Sequence, residues 1–424
     1  MKILVIGSGA REHALVHSLA KDEGTEIFCA PGNAGIAREV TTFPLVATDS
    51  GQAVSLATQL AVDLVVIGPE APLVAGVADA LREAGFAVFG PSGEAAQLEG
   101  SKAFAKDVMI AAGVPTALSY TCQTETQVRD ALTEFGAPYV VKDDGLAAGK
   151  GVVVTGDFEE ALAHGLACIS GRTDGAVVIE EYLAGPEVSL FGVTDGKTVR
   201  ALSPAQDFKR ALDNDGGPNT GGMGAYSPLD WAPENLVAET IERVLQPTID
   251  EMTKRGTPFS GLLYAGLALT SNGIKVIEFN ARFGDPETQV VLSRLKSPLS
   301  QLLLAAANGT LAELPELQWS DEAAITVVLA AQGYPQDPVA GAAISGLEEA
   351  HESGSFVYHA GTKATDSGDI VVSGGRVLCV TGTGTNLADA REKVYAGVNQ
   401  IKFAGSHHRT DIALQASRGE IEVP

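Results

Sequence analysis

The stretch KVIEFNARFGDPETQ, residues 275–289, alternates polar and apolar side chains and then turns through Gly-Asp-Pro. Glu278, Asn280 and Arg282 are spaced two apart, so a regular strand would place them on one face, while the alternating apolar residues, beginning at Ile277, would pack into the core. Asn is depleted in strands, which favours a functional role over a plain amphipathic strand. Carboxylate and amide oxygens side by side suit Mg2+, and the guanidinium could brace a phosphoryl group or a carboxylate.

The stretch VVKDDGLAAGKGV, residues 140–152, places Lys142 at a strand end and Lys150 after a loop of Gly and Ala. Its spacing differs from that of a Walker A loop, and Gly151 stands where that motif has Ser or Thr. Strand patterns on both sides predict a glycine-rich flap that closes over phosphates through its backbone N–H groups and Lys150, with Lys142 fixed below. The alternative is a solvated hairpin with ordinary surface lysines.

VIEEYLAGPE, residues 178–187, ends a strand with two adjacent carboxylates. Glu180 and Glu181 would point to opposite faces, so only one of these side chains could meet a given ligand. That side chain would contact a ribose or a base amine, and the backbone beyond it would pair with an adenine edge. The alternative is a surface strand end with exposed acids.

The segment QDFKRALDNDGGPNTGGMGAYSP, residues 206–228, has no helix or strand period in its glycine-rich half. Its five clustered glycines are Gly216, Gly217, Gly221, Gly222 and Gly224. Such a loop can bring several backbone N–H groups close to a ligand. Asp207, Lys209 and Arg210 add charges of both signs, as an amino-acid substrate requires. The alternative is a long surface loop.

The first hundred residues alternate strand and helix patterns, with strands predicted over 2–7, 26–31, 63–70 and 87–92. This alternation predicts a parallel sheet that binds ligands beyond the carboxyl ends of its strands. GSGARE follows the first strand but lacks the third glycine of the dinucleotide fingerprint, because position 12 is Glu. A tight turn and a non-dinucleotide anion site remain equally open there.

The rest of the chain predicts a mixed organisation. Helices are predicted over 101–113 and 233–256, and Asn272–Gly273 predicts a hairpin turn between two strands. From about residue 321 the pattern indicates a small α+β unit.

Composition bounds the function. The 424 residues carry a formal net charge of −24 and a mean hydropathy of +0.13, which favours a folded, acidic, multidomain enzyme over a nucleic-acid or anionic-membrane binder. No apolar run approaches the roughly 18 residues that span a membrane. Four scattered cysteines indicate reduced thiols, so we expect a cytoplasmic protein.

Taken together and in order, the motifs resemble the glycinamide ribonucleotide synthetase family of ATP-grasp enzymes. The segments that carry the resemblance are GSGAREHAL, PGNAG, VIGPEAPL, FGPS, QLEGSKAFAK, GLAAGKGV, VIEEYL, GPNTGGMGAYSP, YAGL, KVIEFNARFGDPETQ, YHAGTK and GGRVLCVT. They run from residue 1 to past residue 380, and the pairing of GPNTGGMGAYSP with EFNARFGDPETQ is highly specific.

The resemblance implies a multidomain α/β and α+β fold. It implies a Rossmann-like pre-ATP-grasp domain over 1–100, an ATP-grasp region over 101–318 with a lid at about 115–190, and a small α+β C-terminal domain over 319–424.

The resemblance also implies roles for individual residues. Catalytic roles fall to Lys142 and Arg282, and metal ligation falls to Glu278 and Asn280. ATP contacts fall to Lys102, Lys142, Gly149, Lys150, Gly151, Glu180, Glu181, Leu183 and Glu187. Substrate contacts fall to Gly9, Glu12, Asp207, Lys209, Asn219, Thr220, Gly221 and Asp285.

The implied reaction is ligation of glycine to 5-phosphoribosylamine in de novo purine biosynthesis, with ATP and Mg2+ or Mn2+, through glycyl phosphate. We expect a monomer that acts on small molecules, without nucleic-acid or membrane partners. Two departures from the family pattern are Asp143, where a small residue is expected, and Phe208, where His is common.

Three alternatives remain open. One is an ATP-grasp ligase or carboxylase with another acid or amine, against which the glycine-rich loop argues. The second is a nicotinamide-dependent oxidoreductase, weakened by the missing third glycine. The third is a non-catalytic nucleotide sensor.

Overall fold

A computed structural model describes residues 1–146, 151–171 and 175–424. Its N-terminal part is a parallel sheet in the order β3-β2-β1-β4-β5, as the strand–helix alternation predicts. The elements of this part are β1 (Lys2–Gly7), α1 (Ala10–Leu19), β2 (Glu26–Pro31), α2 (Ile36–Glu39), β3 (Thr41–Thr42), α3 (Ser50–Leu60), β4 (Leu64–Ile67), α4 (Glu70–Val74), α5 (Val77–Glu83), β5 (Ala87–Phe89) and α6 (Gln97–Gly100). The central strands are continuous apolar runs because helices cover both faces of such a sheet.

The next part begins a small antiparallel sheet in the order β6-β9-β7-β8. Its elements are α7 (Lys102–Ala112), β6 (Ser119–Cys122), α8 (Glu125–Phe135), β7 (Tyr139–Asp143), β8 (Val152–Thr155), α9 (Phe158–Ser170) and β9 (Val177–Glu180). The predicted strand–loop–strand pattern around residue 146 is confirmed, because Lys142 of β7 pairs with Val152 of β8. The Asp143 N–H donates to the Gly151 carbonyl at 2.7 Å and continues this pairing.

A second antiparallel sheet, in the order β11-β10-β16-β17, faces the first across a cleft. The elements from here to residue 313 are β10 (Glu187–Asp195), β11 (Val199–Ala201), β12 (Gln206–Asp207), β13 (Arg210–Leu212), β14 (Gly216–Asn219), β15 (Gly224–Ser227), α10 (Leu236–Thr240), a π-helical turn (Ile241–Leu245), α11 (Gln246–Lys254), β16 (Ser260–Thr270), β17 (Gly273–Asn280), α12 (Glu287–Arg294), α13 (Leu299–Asn308) and a 3-10 turn (Leu311–Glu313).

The Asn272–Gly273 hairpin is confirmed, since Thr270 pairs with Gly273 across the turn. A register shift lies between Gly266 and Leu267, and β17 bulges opposite it. The expectation that Ile277 packs in the core is wrong: it sits at this bulge, is half-buried and lines the cleft. A bulge turns the side chain of its extra residue away from the regular alternation.

The expectation of an irregular glycine-rich segment is also wrong in part. Strands β13 and β14 form a two-stranded antiparallel structure, which we call the ribbon (residues 210–219), and β15 joins another sheet. The composition of this segment does not indicate strands, because glycine is depleted in strands and weakens them.

The last part of the chain completes a five-stranded sheet in the order β12-β15-β18-β22-β19. Its elements are β18 (Ala323–Ala330), α14 (Leu347–Glu352), β19 (Phe356–His359), β20 (Thr362–Ala364), β21 (Ile370–Val372), β22 (Arg376–Gly384), α15 (Leu387–Gln400) and α16 (Leu414–Ser417). Strands β12 and β15 come from before residue 318, so backbone pairing crosses the predicted domain boundary. No helix in the described ranges is long and apolar enough to cross a membrane.

Candidate functional site

A cleft of about 1220 Å3 lies between the small sheet, strand β17 and the C-terminal part of the chain. The predicted site residues that line it are Lys102, Lys142, Gly151, Glu180, Glu181, Leu183, Glu187, Asp207, Lys209, Asn219, Thr220, Gly221, Glu278, Asn280, Arg282 and Asp285. Motifs that are far apart in the sequence therefore meet on one surface.

The floor of the cleft holds a carboxylate between two buried lysines. Glu180 Oε2 lies 2.8 Å from Lys142 Nζ, and Glu180 Oε1 lies 3.1 Å from Lys106 Nζ. Lys142 Nζ also donates to the Ile277 carbonyl at 2.8 Å, which ties β7 to β17. Burial lowers the pKa of Lys106 to about 8, although Glu180 opposes the shift. Lys142 is thus held as a fixed cation, as its place at a strand end predicts.

Glu278 and Asn280 project from β17 into the cleft. No hydrogen bond or ion pair from the described part of the chain engages either side chain. Burial favours a higher pKa for Glu278, but the charges of Lys209, Lys142 and Lys102 outweigh it and hold the pKa below its usual value. The pair therefore offers an ionised carboxylate and an amide oxygen to a ligand.

This donor set fits a Mg2+ or Mn2+ ion that takes its remaining ligands from phosphates and water. Within residues 1–146, 151–171 and 175–424 there is no cluster of three His, Cys, Asp or Glu side chains that could hold a metal ion by itself. An ion at Glu278 and Asn280 would accordingly depend on oxygens supplied by a bound nucleotide.

Arg282 lies just beyond β17 and is held by two acids. Its Nη2 is 2.9 Å from Glu99 Oε1, and its Nε is 3.3 Å from Glu70 Oε2. Glu99 also accepts the Ala281 N–H at 2.8 Å, which fixes the end of the strand. Burial opposes ionisation of Arg282, but these carboxylates raise its pKa above the ordinary value. The guanidinium is a permanent, positioned cation at the cleft wall.

Asp207 and Lys209 bring opposite charges to the same wall. Lys209 Nζ lies 2.6 Å from Glu187 Oε2. Burial raises the pKa of Asp207 to about 7, with Lys209 opposing the rise and Glu287 adding to it. Burial disfavours the charge on Lys209, yet Asp207 and Glu187 raise its pKa well above the ordinary value.

Arg376 reaches the cleft from β22 and joins two of the predicted substrate loops. Its Nη1 donates to the Gly221 carbonyl and to the Asp285 carbonyl, both at 2.6 Å, and its Nη2 lies 3.1 Å from Asp285 Oδ2. Burial favours the neutral acid, but Arg376 and Arg11 hold the pKa of Asp285 below its usual value. The FGDPE turn and the glycine-rich segment are thus fixed side by side.

The GSGARE turn encloses a carboxylate of the chain itself. Glu12 Oε2 accepts the Gly9 N–H at 2.6 Å, and Glu12 Oε1 lies 2.6 Å from Arg11 Nε. Glu12 is almost fully buried and, like Gly9, does not line the cleft. Arg11 is the residue of this motif that reaches the cleft surface. Substrate contacts by Gly9 and Glu12 therefore stay predictions without a place on the cleft lining.

Other predicted nucleotide contacts differ in their surroundings. Lys102 Nζ donates to the Gly145 carbonyl at 3.2 Å, which ties α7 to the start of the predicted flap. Glu181 accepts from the Leu118 N–H at 3.1 Å and lies 2.7 Å from Lys275 Nζ. The predictions for Gly149 and Lys150 fall outside the described residues.

Sequence reasoning missed Lys106, Glu99 and Arg376. Lys106 lies one helical turn after Lys102 in the predicted helix, so an i, i+4 reading places both lysines on one face. Glu99 lies in the segment QLEGSKAFAK, but nothing near it in the sequence indicates that it pairs with Arg282. Arg376 has no local signal, because its partners Gly221 and Asp285 are remote in sequence.

Three segments of the chain match models of phosphoribosylglycinamide synthetase domains: the N domain over residues 1–99, the ATP-grasp (A) domain over 100–288 and the C domain over 324–415. The chain is 64% identical over 422 residues to the phosphoribosylamine–glycine ligase of Streptomyces coelicolor, covering 98% of this chain and 100% of that protein. It is 53% identical over 429 residues to the protein of the same name from Mycobacterium tuberculosis, with both chains covered completely.

Comparison with solved structures also finds similar proteins. The phosphoribosylamine–glycine ligase of Thermotoga maritima superposes with a TM-score of 0.85 at 35% identity, covering 97% of this chain and 100% of that chain. A biotin carboxylase from Campylobacter jejuni superposes with a TM-score of 0.72 at 15% identity, covering 98% of this chain and 94% of that chain. The second likeness concerns the fold alone.

Proposed function

The chain belongs to the phosphoribosylglycinamide synthetase family, and we propose that it ligates glycine to 5-phosphoribosylamine with conversion of ATP to ADP and phosphate. The observation that carries the proposal is the meeting, in one cleft, of the open Glu278–Asn280 pair, the fixed cation Lys142 and the loops held by Arg376. In this proposal the first three residues form the nucleotide side of the cleft, and the loops held by Arg376 form the acceptor side, where glycine and phosphoribosylamine bind.

In the proposed reaction a carboxylate oxygen of glycine attacks the γ-phosphorus of ATP, and ADP leaves. The amine of phosphoribosylamine then attacks the carbonyl carbon of glycyl phosphate. Phosphate leaves with the bonding electrons, and the nitrogen loses a proton to give the amide. Phosphorylation is needed because a free carboxylate is a poor electrophile, and the protein contributes mainly position and charge.

In this proposal residues in different parts of the cleft have different roles. Lys102 and Lys142 neutralise phosphate charge, and Arg282 stabilises the transferred group from the cleft wall. Glu278 and Asn280 would hold Mg2+ or Mn2+, which supplies further neutralisation of phosphate oxygens when bound. Lys209 offers a positive charge that suits the carboxylate of glycine, and Asp207 offers carboxyl oxygens that can accept from its ammonium group.

Glu180, Glu181, Leu183 and Glu187 belong to the adenosine side in this proposal. The backbone beyond β9 would pair with the adenine edge, and Glu187 would accept from the ribose. Asn219, Thr220, Gly221 and Asp285 belong to the acceptor side. The protein would work as a monomer in the cytoplasm, which light scattering and cell fractionation can test.

The deciding experiment is phosphate release by the purified chain with ATP, Mg2+ and phosphoribosylamine. We expect release that requires glycine and product that contains glycine and the ribosylamine in equal amounts. Other single amino acids serve as controls. Phosphate release of the same size without glycine would contradict the proposal and would favour a ligase with another acid.

The metal assignment gives a first prediction. Glu278→Ala removes the ionised oxygen ligand, so we expect turnover to fall by about a hundredfold or more, with an unchanged thermal midpoint within a few degrees. Glu239→Ala, on an exposed helix pair with Arg243, is the matched control and should keep full activity. Activity measured against Mg2+ concentration shows whether Glu278 acts through the metal. An unchanged Mg2+ requirement in Glu278→Ala would overturn the assignment.

A further inference from the structure

Arg409, in the segment before α16, is a fully buried arginine that the reaction above does not use. Its Nε and Nη2 donate to the two carboxylate oxygens of Asp411, each at 2.7 Å. Its Nη1 donates to Asp215 Oδ1 at 2.8 Å and to the Arg210 carbonyl at 3.2 Å, and its guanidinium lies 4.8 Å from the centre of the Phe208 ring. Although Arg409 borders the cleft, these contacts join its guanidinium to other parts of the chain.

The part it holds is the ribbon, residues 210–219. At the tip of the ribbon the Asp213 carboxylate accepts from the backbone and hydroxyl of Thr410, and the Asn214 N–H donates to Asp411 Oδ2 at 2.8 Å. Asn214 and Asp215 have φ of 55° and 51°, the left-handed conformation that Asn and Asp adopt more readily than other non-glycine residues in hairpin turns. Residues 409–411 therefore bind the tip of the ribbon through several side-chain and backbone hydrogen bonds.

The other end of the ribbon carries Asn219, an acceptor-side residue that also contacts β8 on the nucleotide side of the cleft. The Asn219 side chain donates to the Val152 carbonyl at 3.4 Å and accepts from Arg210 at 3.4 Å. Val152 is the residue of β8 that pairs with Lys142 of β7. A continuous set of contacts thus joins Arg409, through the ribbon, to Val152, the strand partner of Lys142.

We propose that Arg409 is a positioning residue for nucleotide binding: it fixes the ribbon so that Asn219 holds Val152, and with it β7 and Lys142, at the cleft. The proposal rests on ATP binding in the proposed function. It explains Phe208, whose ring faces the guanidinium of Arg409 and has a structural place where the family commonly has His.

The test compares Arg409→Lys with the parent chain by hydrogen exchange of the peptide containing residues 152–155 and by steady-state kinetics. Lysine keeps the charge but loses the two-pronged contact with Asp411. We expect exchange about tenfold faster and a KM for ATP about five- to tenfold higher, with kcat changed less than about twofold.

Two further variants show whether the effect passes through the ribbon. Asn219→Ala should raise the KM for ATP similarly, and the double variant should be no worse than the stronger single one. Asp215→Asn, at an exposed carboxylate, removes one Arg409 contact with little risk to folding and should give a smaller effect in the same direction.

Arg294→Lys is the matched control, because Arg294 is also buried and fully bonded but does not line the cleft. It should lower the thermal midpoint without changing exchange at residues 152–155. Equal exchange and an equal KM for ATP in Arg409→Lys would overturn the proposal, as would additive effects in the double variant. If the proposed function itself is wrong, the parent chain will show no glycine-dependent phosphate release.

Discussion

Glu180 shows how one side chain sets the electrostatics of the cleft floor. It is the shared anion for Lys106 and Lys142, and all three side chains are less than a tenth exposed. Buried charges without partners are costly, so the arrangement depends on every member being present. The same carboxylate holds both lysines in place in the absence of any ligand.

Glu180→Gln should therefore destabilise the apo protein by about 3–5 kcal/mol, because two buried ammonium groups lose their partner. The neighbouring Glu181→Gln is the control: its pair with Lys275 is partly exposed, so we expect about 1 kcal/mol or less. Urea unfolding without nucleotide measures both. Equal losses for the two variants would contradict the ion-pair account.

At the residue scale, sequence spacing predicted where Glu278, Asn280 and Lys142 would face, because strand alternation is a local property. It could not predict that Glu180 would be shared by two lysines, nor that Ile277 would turn into the cleft. Those outcomes depend on the pairing of β7 with β9 and on the bulge in β17.

Among the elements, the ends of β1 and β4 close around a single group, the Glu12 carboxylate. A Cβ added at Gly68 would lie 2.1 Å from Glu12 Oε1, and one added at Gly7 would lie 2.5 Å from Glu12 Cγ. The Glu12 carboxylate thus fills a space that only glycines leave open. Because Glu12 also pairs with Arg11, the turn after β1 holds the Arg11 side chain at the cleft surface.

Gly68→Ala should displace Glu12 and cost about 1–3 kcal/mol of unfolding free energy through overpacking. Gly156→Ala is the control, since an added Cβ there meets nothing within 4 Å, and it should change stability by less than about 0.5 kcal/mol. Thermal unfolding of the two variants makes the comparison. A neutral Gly68→Ala would mean that Glu12 can move without cost.

At the element scale, turns with strong residue preferences were predictable and long-range pairings were not. Asn272–Gly273 specified its hairpin, and the alternation in the first hundred residues specified a parallel sheet. The ribbon was not predictable, because its support comes from Thr410 and Asp411, almost two hundred residues away.

At the scale of the whole molecule, histidines join the first and last parts of the chain. His13 Nδ1 accepts the His359 N–H at 2.8 Å, so this nitrogen must be unprotonated, and its Nε2 donates to Glu39 at 2.8 Å. Burial lowers the pKa of His13 despite Glu39, and burial lowers the pKa of His359 to about 3.

These shifts predict a stability that falls in mild acid. Between pH 6.5 and about 3 the unfolded chain binds a proton at position 359 that the folded chain does not, so stability decreases as pH falls through this window. The slope contributed by one such histidine is at most about 1.4 kcal/mol per pH unit. Urea unfolding at pH 7 and pH 5.5 measures it.

His359→Asn removes the titration while keeping a polar partner for Thr362, so its stability should vary less with pH than that of the parent chain. An identical slope in the two chains would show that other groups control the acid response.

Motif order along the whole chain identified the family because the resemblance covered nearly every segment. It gave no sign that β18 and β22 would complete a sheet begun by β12 and β15. Strand partners so far apart leave no mark in local composition, and their pairing is decided by which apolar faces remain uncovered.

This shared sheet also has a meaning for how the polypeptide is made. A nascent chain that has emerged through residue 318 already carries Lys142, Glu278 and Asn280, but the edge of β15 lacks β18, and Arg376 and Arg409 are not yet synthesised. The half of the cleft that we propose binds phosphate is thus translated before the strands that support the proposed acceptor half. Ribosomal stalling in this interval would leave an unpaired strand edge open to association with other chains, so translation of β18 protects the edge of β15.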